Sequence, residues 1–428
     1  MTTGAPSLDT TGEGLRIISE PLPGVRSVAL GLWIGVGSRF ERPAEAGVSH
    51  FIEHLLFKGT DRFSAAEIAE VFDGLGGEIN AATGRDHTVV YTRVLDDHLE
   101  AAFDVVADML CNPAFHELDQ ERQVVLEEIL MYEDDPGDLV HDLMSEAVFP
   151  DQPLGRPVIG TSEVIGSIPA DQIRAYHGSH YVAPNIVVAA SGSVDQAQLV
   201  ELSEKYLSGL VRGDGAHVPD AAAPGAPVLS VRTKPTEQYH VALGGPGLDR
   251  SDDRRHAMAV LDTILGGSMS SRLFQEIRER RGLAYSVGTY SVGYADTGQV
   301  GVYLGTREDN LSEAAEVMAH ELKRMGEEPV PAAELDRAKQ HLKGRLVLSL
   351  ESPATRMHRI GRSVLTGTEL LEVDEIVARI DAVTADDVLA LGAEFWDPSR
   401  LSVAAIGPSE DAVRDAAGRL APNLVEAA

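Results

Sequence analysis

The chain has 428 residues, 43% of them hydrophobic, and a single cysteine, Cys111. That length supports two or three domains with substantial cores, and the lone cysteine excludes both a disulfide framework and a cysteine-ligated zinc site. Against 36 Lys and Arg stand 67 Asp and Glu, a net charge of −31, which argues against nucleic acid as a partner and for solubility, or for an acidic chamber that attracts basic, unfolded peptides.

Residues 1–14 have neither the basic nor the apolar region of a signal peptide, and they read as a short disordered arm. No apolar run reaches membrane-spanning length, so no membrane is expected as a partner. With one cysteine and no targeting segment, the expected location is cytoplasmic. Residues 27–36 alternate as a strand, and residues 46–57 carry helical apolar periodicity. Inside that helix lies His50-Phe51-Ile52-Glu53-His54. Two imidazoles four residues apart lie on one face, one turn apart, a spacing from which two nitrogens hold one Zn²⁺. Glu53 lies beside them and points near the metal without binding it, as a general base for water at the metal should. The H-x-x-E-H order is that of the inverted zinc peptidases.

Residues 88–94 form a strand-like run, followed by helices over 96–110 and 117–133. Catalytic zinc takes a third protein ligand, and the acidic helix over 117–133 is its source. It carries Glu121, Glu127, Glu128 and Glu133, with Val124, Val125, Leu126, Ile129 and Leu130 marking a buried side. Glu121 and Glu128 are two turns apart and share a face, while Glu127 lies about 100° away. Spacing favours Glu128 only weakly over Glu121.

Residues 212–227 are rich in Ala, Pro and Gly and read as a linker. They separate an N-terminal zinc-binding domain, 15–211, from a C-terminal domain, 228–428. The second repeats the first: strand 239–244, helix 255–265, strand 299–304, helices 308–322 and 334–346, and a closing helix–strand segment over 383–407 that matches 168–192. Each half reads as α+β, with helices packed on a mostly antiparallel sheet. Aligning residues 55–59 with 263–267 sets Met258–Asp262 opposite His50–His54. Met258, Leu261 and Asp262 then stand where His50, Glu53 and His54 do, so the fold does not need this trio. Glu121 falls opposite Ala338 and Glu128 opposite Arg345, which ties both acids to the half with the histidines.

Residues 50–60 (HFIEHLLFKGT), 76–91 (GGEINAATGRDHTVVY) and 121–129 (ERQVVLEEI) together resemble the pitrilysin/insulinase family of inverted-motif zinc metallopeptidases, in its bacterial branch similar to the mitochondrial processing peptidases. The resemblance runs from about residue 15 to 420. It implies a zinc metalloendopeptidase with zinc on His50, His54 and Glu128, Glu53 as general base, and Glu121 as an acid behind the ligands. It implies that Asn80, Ala81, Ala82 and Thr83 lie on an edge strand that takes the substrate backbone as an added strand. Residues 277–285 (IRERRGLAY) resemble the family's Arg/Tyr element, which implies that Arg278 and Tyr285 contact substrate near the scissile bond. His87 reads as structural. The resemblance also implies a closed chamber formed by two chains, here a homodimer in which Arg278 and Tyr285 face the partner's zinc site. The rival expectation is a non-catalytic structural or regulatory subunit of the same fold; such chains typically lose ligands that are all present here.

Overall fold

The computed structural model describes residues 4–213 and 219–426. The chain forms two compact units, each built around one sheet. The first sheet contains β1 (Ser7–Thr10), β2 (Arg16–Pro21), β3 (Ser27–Ile34), β4 (Glu78–Thr83), β5 (Thr88–Leu95) and β6 (Ile186–Gly192), in the order β1-β2-β6-β3-β5-β4. Among the described residues of this sheet only β2 and β6 pair in parallel. The second contains β7 (Leu229–Thr233), β8 (Tyr239–Gly247), β9 (Ser286–Gly293), β10 (Gly298–Thr306) and β11 (Ser402–Gly407), in the order β7-β11-β8-β10-β9. Here β7 and β11 are the parallel pair. The orders match strand for strand once β1 is set aside. The fold is therefore α+β with mostly antiparallel sheets in two homologous halves, as the duplication requires.

In the first half the helices are α1 (Val48–Leu56), α2 (Ala65–Leu75), α3 (Leu99–Cys111), α4 (Leu118–Asp134), α5 (Pro136–Val148), α6 (Ser162–Ser167), α7 (Ala170–His180) and α8 (Gln196–Tyr206). In the second they are α9 (Arg255–Leu265), α10 (Glu308–Glu327), α11 (Ala332–Ser349), α12 (Pro353–Thr366), α13 (Val373–Ala382), α14 (Ala385–Phe395) and α15 (Glu410–Leu420). One face of the first sheet is covered by its own helices: Phe51, Ile52, Leu55 and Leu56 of α1 join Leu30 and Leu32 of β3 and Phe103 and Val106 of α3 in one buried cluster. Each such side chain contributes about 1.5–3 kcal/mol of hydrophobic burial.

The opposite face is also apolar. Ile18, Ala29, Trp33, Val89, Val187 and Ala189 lie there, and Met357 and Ile360 of α12 cover them. In the second unit Leu139, Val140 and Met144 of α5 cover Ala242, Ala404 and Ile406 in the same way. Compact unit one is thus Met1–Leu130, Pro157–Asp220 and Leu348–Leu370, and unit two is Met131–Arg156, Ala221–Val347 and Leu371–Ala428. This differs from a simple division at residues 212–227, because each half of the chain contributes one helix to the other unit. The physical reason is that a sheet apolar on both faces must be covered on both. The expected linker lies in part outside the described residues, and so do residues 1–3 of the expected arm. Ser7–Thr10 is a strand paired antiparallel with β2, not a disordered segment. Its four side chains are all exposed, so no apolar pattern announces it; main-chain pairing with β2 and a hydrogen bond from Gln196 Nε2 to Asp9 Oδ2, at 2.9 Å, hold it.

Candidate metal centre

Helix α1 begins at Gly47, whose φ of 91° lies in the left-handed region that favours glycine; a Cβ there would approach the Ile159 carbonyl oxygen to 2.6 Å. The buried Glu41 carboxylate accepts from the main-chain N–H groups of Gly47, at 2.7 Å, and Ser49, at 2.8 Å. It satisfies donors of the first turn and suits the positive end of the helix. With Phe51, Ile52, Leu55 and Leu56 buried, His50, Glu53 and His54 are left on the partly exposed face. The two rings meet edge to face with centroids 4.7 Å apart.

Glu128 of α4 completes the group. His50 Nε2 lies 3.8 Å from Glu128 Oε1, and His54 Nε2 lies 3.2 Å from Glu128 Oε2. Among the described residues His50, His54 and Glu128 form the one cluster of metal-ligating type, with one ligand atom from each within 4.8 Å of the others. Ligands bonded at about 2.1 Å around a tetrahedral ion stand roughly 3.4 Å apart, so this spacing suits one zinc-sized ion. Glu121, also on α4 and buried, lies 2.8 Å from His54 Nδ1. When Nδ1–H donates to Glu121, Nε2 keeps its lone pair and faces a carboxylate oxygen. Two acceptors that close call for a cation between them. Burial, with the neighbouring His54, pushes His50 down to about 4, so its imidazole is neutral at pH 7, as a ligand must be.

Glu53 lies beside this cluster. Burial raises its carboxyl above the ordinary range, while donation from Thr83 and the closeness of His54 pull it back. Thr83 Oγ1 donates to Glu53 Oε2 at 2.5 Å. Asn80, Ala81, Ala82 and Thr83 lie on β4, the open edge of the first sheet. The Ala81 N–H bonds to the side-chain oxygen of Asn80, at 2.9 Å. His87 packs its ring on Trp33, with centroids 5.1 Å apart.

The structure thus brings His50, Glu53, His54, Thr83, Glu121 and Glu128 together within one unit. Arg278 and Tyr285 belong to the other. There the Arg278 guanidinium lies 4.2 Å from the Tyr285 ring centroid and 4.7 Å from that of Phe274, and Nη1 donates to the Tyr285 carbonyl at 3.3 Å. Arg278 lies on a π-helical segment, Phe274–Glu279, and Tyr285 is 74% exposed. Both line an open cavity of about 420 Å³ together with Thr289, Tyr290 and Tyr303.

Sequence reasoning missed Glu41 and Lys58, and it placed Thr83 on the edge strand without its bond to Glu53. Glu41 caps α1, Thr83 holds the carboxylate of Glu53, and Lys58 Nζ lies 2.7 Å from Glu121 Oε2. Lys58 lies in the turn just past the end of α1, and no short-range spacing ties it to Glu121. The structure also moves the alignment of the halves by one residue. In α9, Ala259 and Asp262 are partly exposed while Val260, Leu261, Ile264 and Leu265 are buried, the pattern of His50 and Glu53 among Phe51, Ile52, Leu55 and Leu56. Asp262 is bonded by Ser291 of the edge strand β9, as Glu53 is by Thr83 of β4. Asp262 therefore corresponds to Glu53, and Ala259 and Thr263 replace the two histidines. The second half keeps the acid and loses the histidines.

A sequence profile of the insulinase family, peptidase family M16, matches residues 16–162, and that of the peptidase M16 inactive domain matches residues 167–342. The chain belongs to the insulinase family. It is 46% identical over 411 residues to an uncharacterized zinc protease of Streptomyces coelicolor, covering 93% of this chain and 88% of that protein. It is 40% identical over 404 residues to an uncharacterized zinc protease of Bacillus subtilis, covering 94% and 98%. Among solved structures, a peptidase M16 inactive domain from Pseudomonas fluorescens superposes with a TM-score of 0.86 at 23% identity, over 95% of this chain and 98% of that one. A protease from Helicobacter pylori does so with a TM-score of 0.88 at 22% identity, over 94% and 99%. These two likenesses show the family fold. The inactive-domain match begins at residue 167 and spans the part of this insulinase-family chain where Ala259 and Thr263 stand in place of histidines.

Proposed function

We propose that the protein is a zinc-dependent endopeptidase that hydrolyses peptides or unfolded polypeptide segments. The observation that carries this reading is the convergence of His50, His54 and Glu128 with Glu53 beside them. The zinc protease names of the relatives support it. His50, His54 and Glu128 would hold the ion, and Glu121 would orient the His54 ring. When bound, zinc supplies a Lewis acid for the scissile carbonyl and lowers the pKa of water. Glu53 accepts a proton from water at Oε1, the oxygen that the Thr83 hydroxyl leaves open, and returns it to the leaving amine. A peptide laid along β4 as an added strand would pair through its main chain, and Ala81 and Ala82 allow close approach. Weak side-chain selectivity follows from main-chain pairing. The Arg278 guanidinium would hold a substrate carbonyl or carboxylate, and the Tyr285 hydroxyl would donate to a developing oxyanion. Because one chain carries both sets of residues, two copies suffice for a closed chamber. The expected assembly is a homodimer.

Cleavage of a peptide mixture by the zinc-loaded protein, beside a Glu53→Gln control, tests this reading. The variant should keep its zinc and lose about 10²- to 10⁴-fold in turnover, chelation should abolish cleavage, and added zinc should restore it. Wild-type turnover in Glu53→Gln would sink the assignment of the base. A zinc-loaded wild type that cleaves nothing would favour the non-catalytic reading. A fully active monomer in light scattering would remove the homodimer.

A further inference from the structure

Strand β4 ends on Thr83, and the Thr83 hydroxyl holds the proposed base. It donates to Glu53 Oε2 at 2.5 Å. Thr88, its partner across the ladder, spends its own hydroxyl on the Val36 carbonyl, at 2.9 Å, and lies 3.5 Å from Thr83 Oγ1. A glutamate side chain left free samples many rotamers, and a base out of line is slow. A donor fixed on a strand removes that freedom.

The second half shows the same joint without the metal ligands. Ser291 of β9 bonds Asp262, but there Asp262 Oδ1 is sealed from solvent and has no hydrogen-bond partner. A hydroxyl of the edge strand gripping a helix acid is therefore a property of the duplicated fold. Only in the first half does the gripped acid stand beside His54 and Glu128, with a side chain long enough to reach past its anchor.

We propose that Thr83 is the positioning residue of Glu53, and that by ending the edge strand it couples alignment of the base to seating of the peptide main chain. This rests on the endopeptidase reading above. Thr83→Val keeps shape and strand preference and removes only the hydroxyl donor; Thr83→Ser keeps the donor. The expected result for Thr83→Val is a kcat about 10- to 100-fold lower with KM within about twofold, and recovery of most of that loss in Thr83→Ser. Zinc affinity, read by chelator competition, should stay at the wild-type value in both. A second readout needs no turnover. In metal-free protein the carboxyl ¹³C resonance of Glu53, identified by its loss in Glu53→Gln, should move in Thr83→Val and return in Thr83→Ser. Wild-type kcat in Thr83→Val, a loss carried by KM, or a Thr83→Ser as slow as Thr83→Val would each overturn the proposal. Should the wild type itself cleave no peptide, the endopeptidase reading fails separately, and an unmoved Glu53 resonance would still overturn the role of Thr83.

Discussion

His54 is held at Nδ1 by Glu121, which Lys58 holds in turn, while its Nε2 faces a carboxylate oxygen of Glu128. Buried ligand–carboxylate pairs of this kind fix ring orientation and raise ligand basicity. Glu121→Ala should therefore weaken zinc binding about 10- to 100-fold, measured by competition with a chelator, while leaving His50, His54 and Glu128 in place. In the second half, burial pushes Asp262 up to about 7 from an ordinary 3.8, against the pull of the Ser291 hydrogen bond. The folded protein thus keeps a proton there that the unfolded chain releases. The stability from this group is present below the unfolded value and is lost as pH rises through the folded one. Asp262→Asn should accordingly raise stability by a few kcal/mol at pH 8 and by little at pH 4, measured as denaturant midpoints at the two values. The histidine pair was readable from spacing, since four residues make one helical turn. The grip of Thr83 on Glu53 was not, because 30 residues separate them and strand register alone brings them together.

Among the elements, α1 and α12 show how differently helices can be specified. α1 is amphipathic with a polar face made of reactive groups, so periodicity finds both the helix and its purpose. α12 carries Arg356 and Arg359, and nothing local says what they meet. In the fold, Arg356 Nη1 lies 2.5 Å from Glu20 Oε1 and Arg359 Nη2 lies 3.1 Å from Glu20 Oε2, with Glu20 buried on β2. Arg356 also donates to the Leu350 carbonyl, at 2.6 Å. Removing one partner of a buried pair leaves an uncompensated charge, at a cost of about 3–5 kcal/mol. Glu20→Ala should lower stability by that order, and the loss should appear in the thermal midpoint with His50, His54 and Glu128 untouched.

At the scale of the molecule, the duplication is also an exchange. α5 follows the first half's sequence and covers the second sheet, while α12 follows the second half's and covers the first. A chain cut within residues 212–227 would give two fragments, each missing the helix that covers one apolar face of its sheet. Each fragment alone should show weak near-ultraviolet circular dichroism and a broad melting transition. Mixed, the two should recover a cooperative one. Independent cooperative folding of either fragment would contradict this. No helix among the described residues is long and apolar enough to cross a membrane.

Taken alone, the sequence determined what depends on short spacing and on comparison of its two halves. The helix with His50, Glu53 and His54, the acidic helix with Glu121 and Glu128, the duplication and the α+β class all follow from periodicity and composition. Tertiary structure decided what depends on partners far apart in the chain. It set Glu128 against Nε2 of both imidazoles, because α4 buries Glu121 against His54 Nδ1 and Lys58 and leaves Glu128 partly open. It set Asp262 opposite Glu53, because side-chain burial shows a helix register that apolar residues alone leave uncertain by one. It also joined Thr83 to Glu53 and assigned α5 and α12 to opposite sheets, since a sheet with two apolar faces takes its cover from wherever the chain returns.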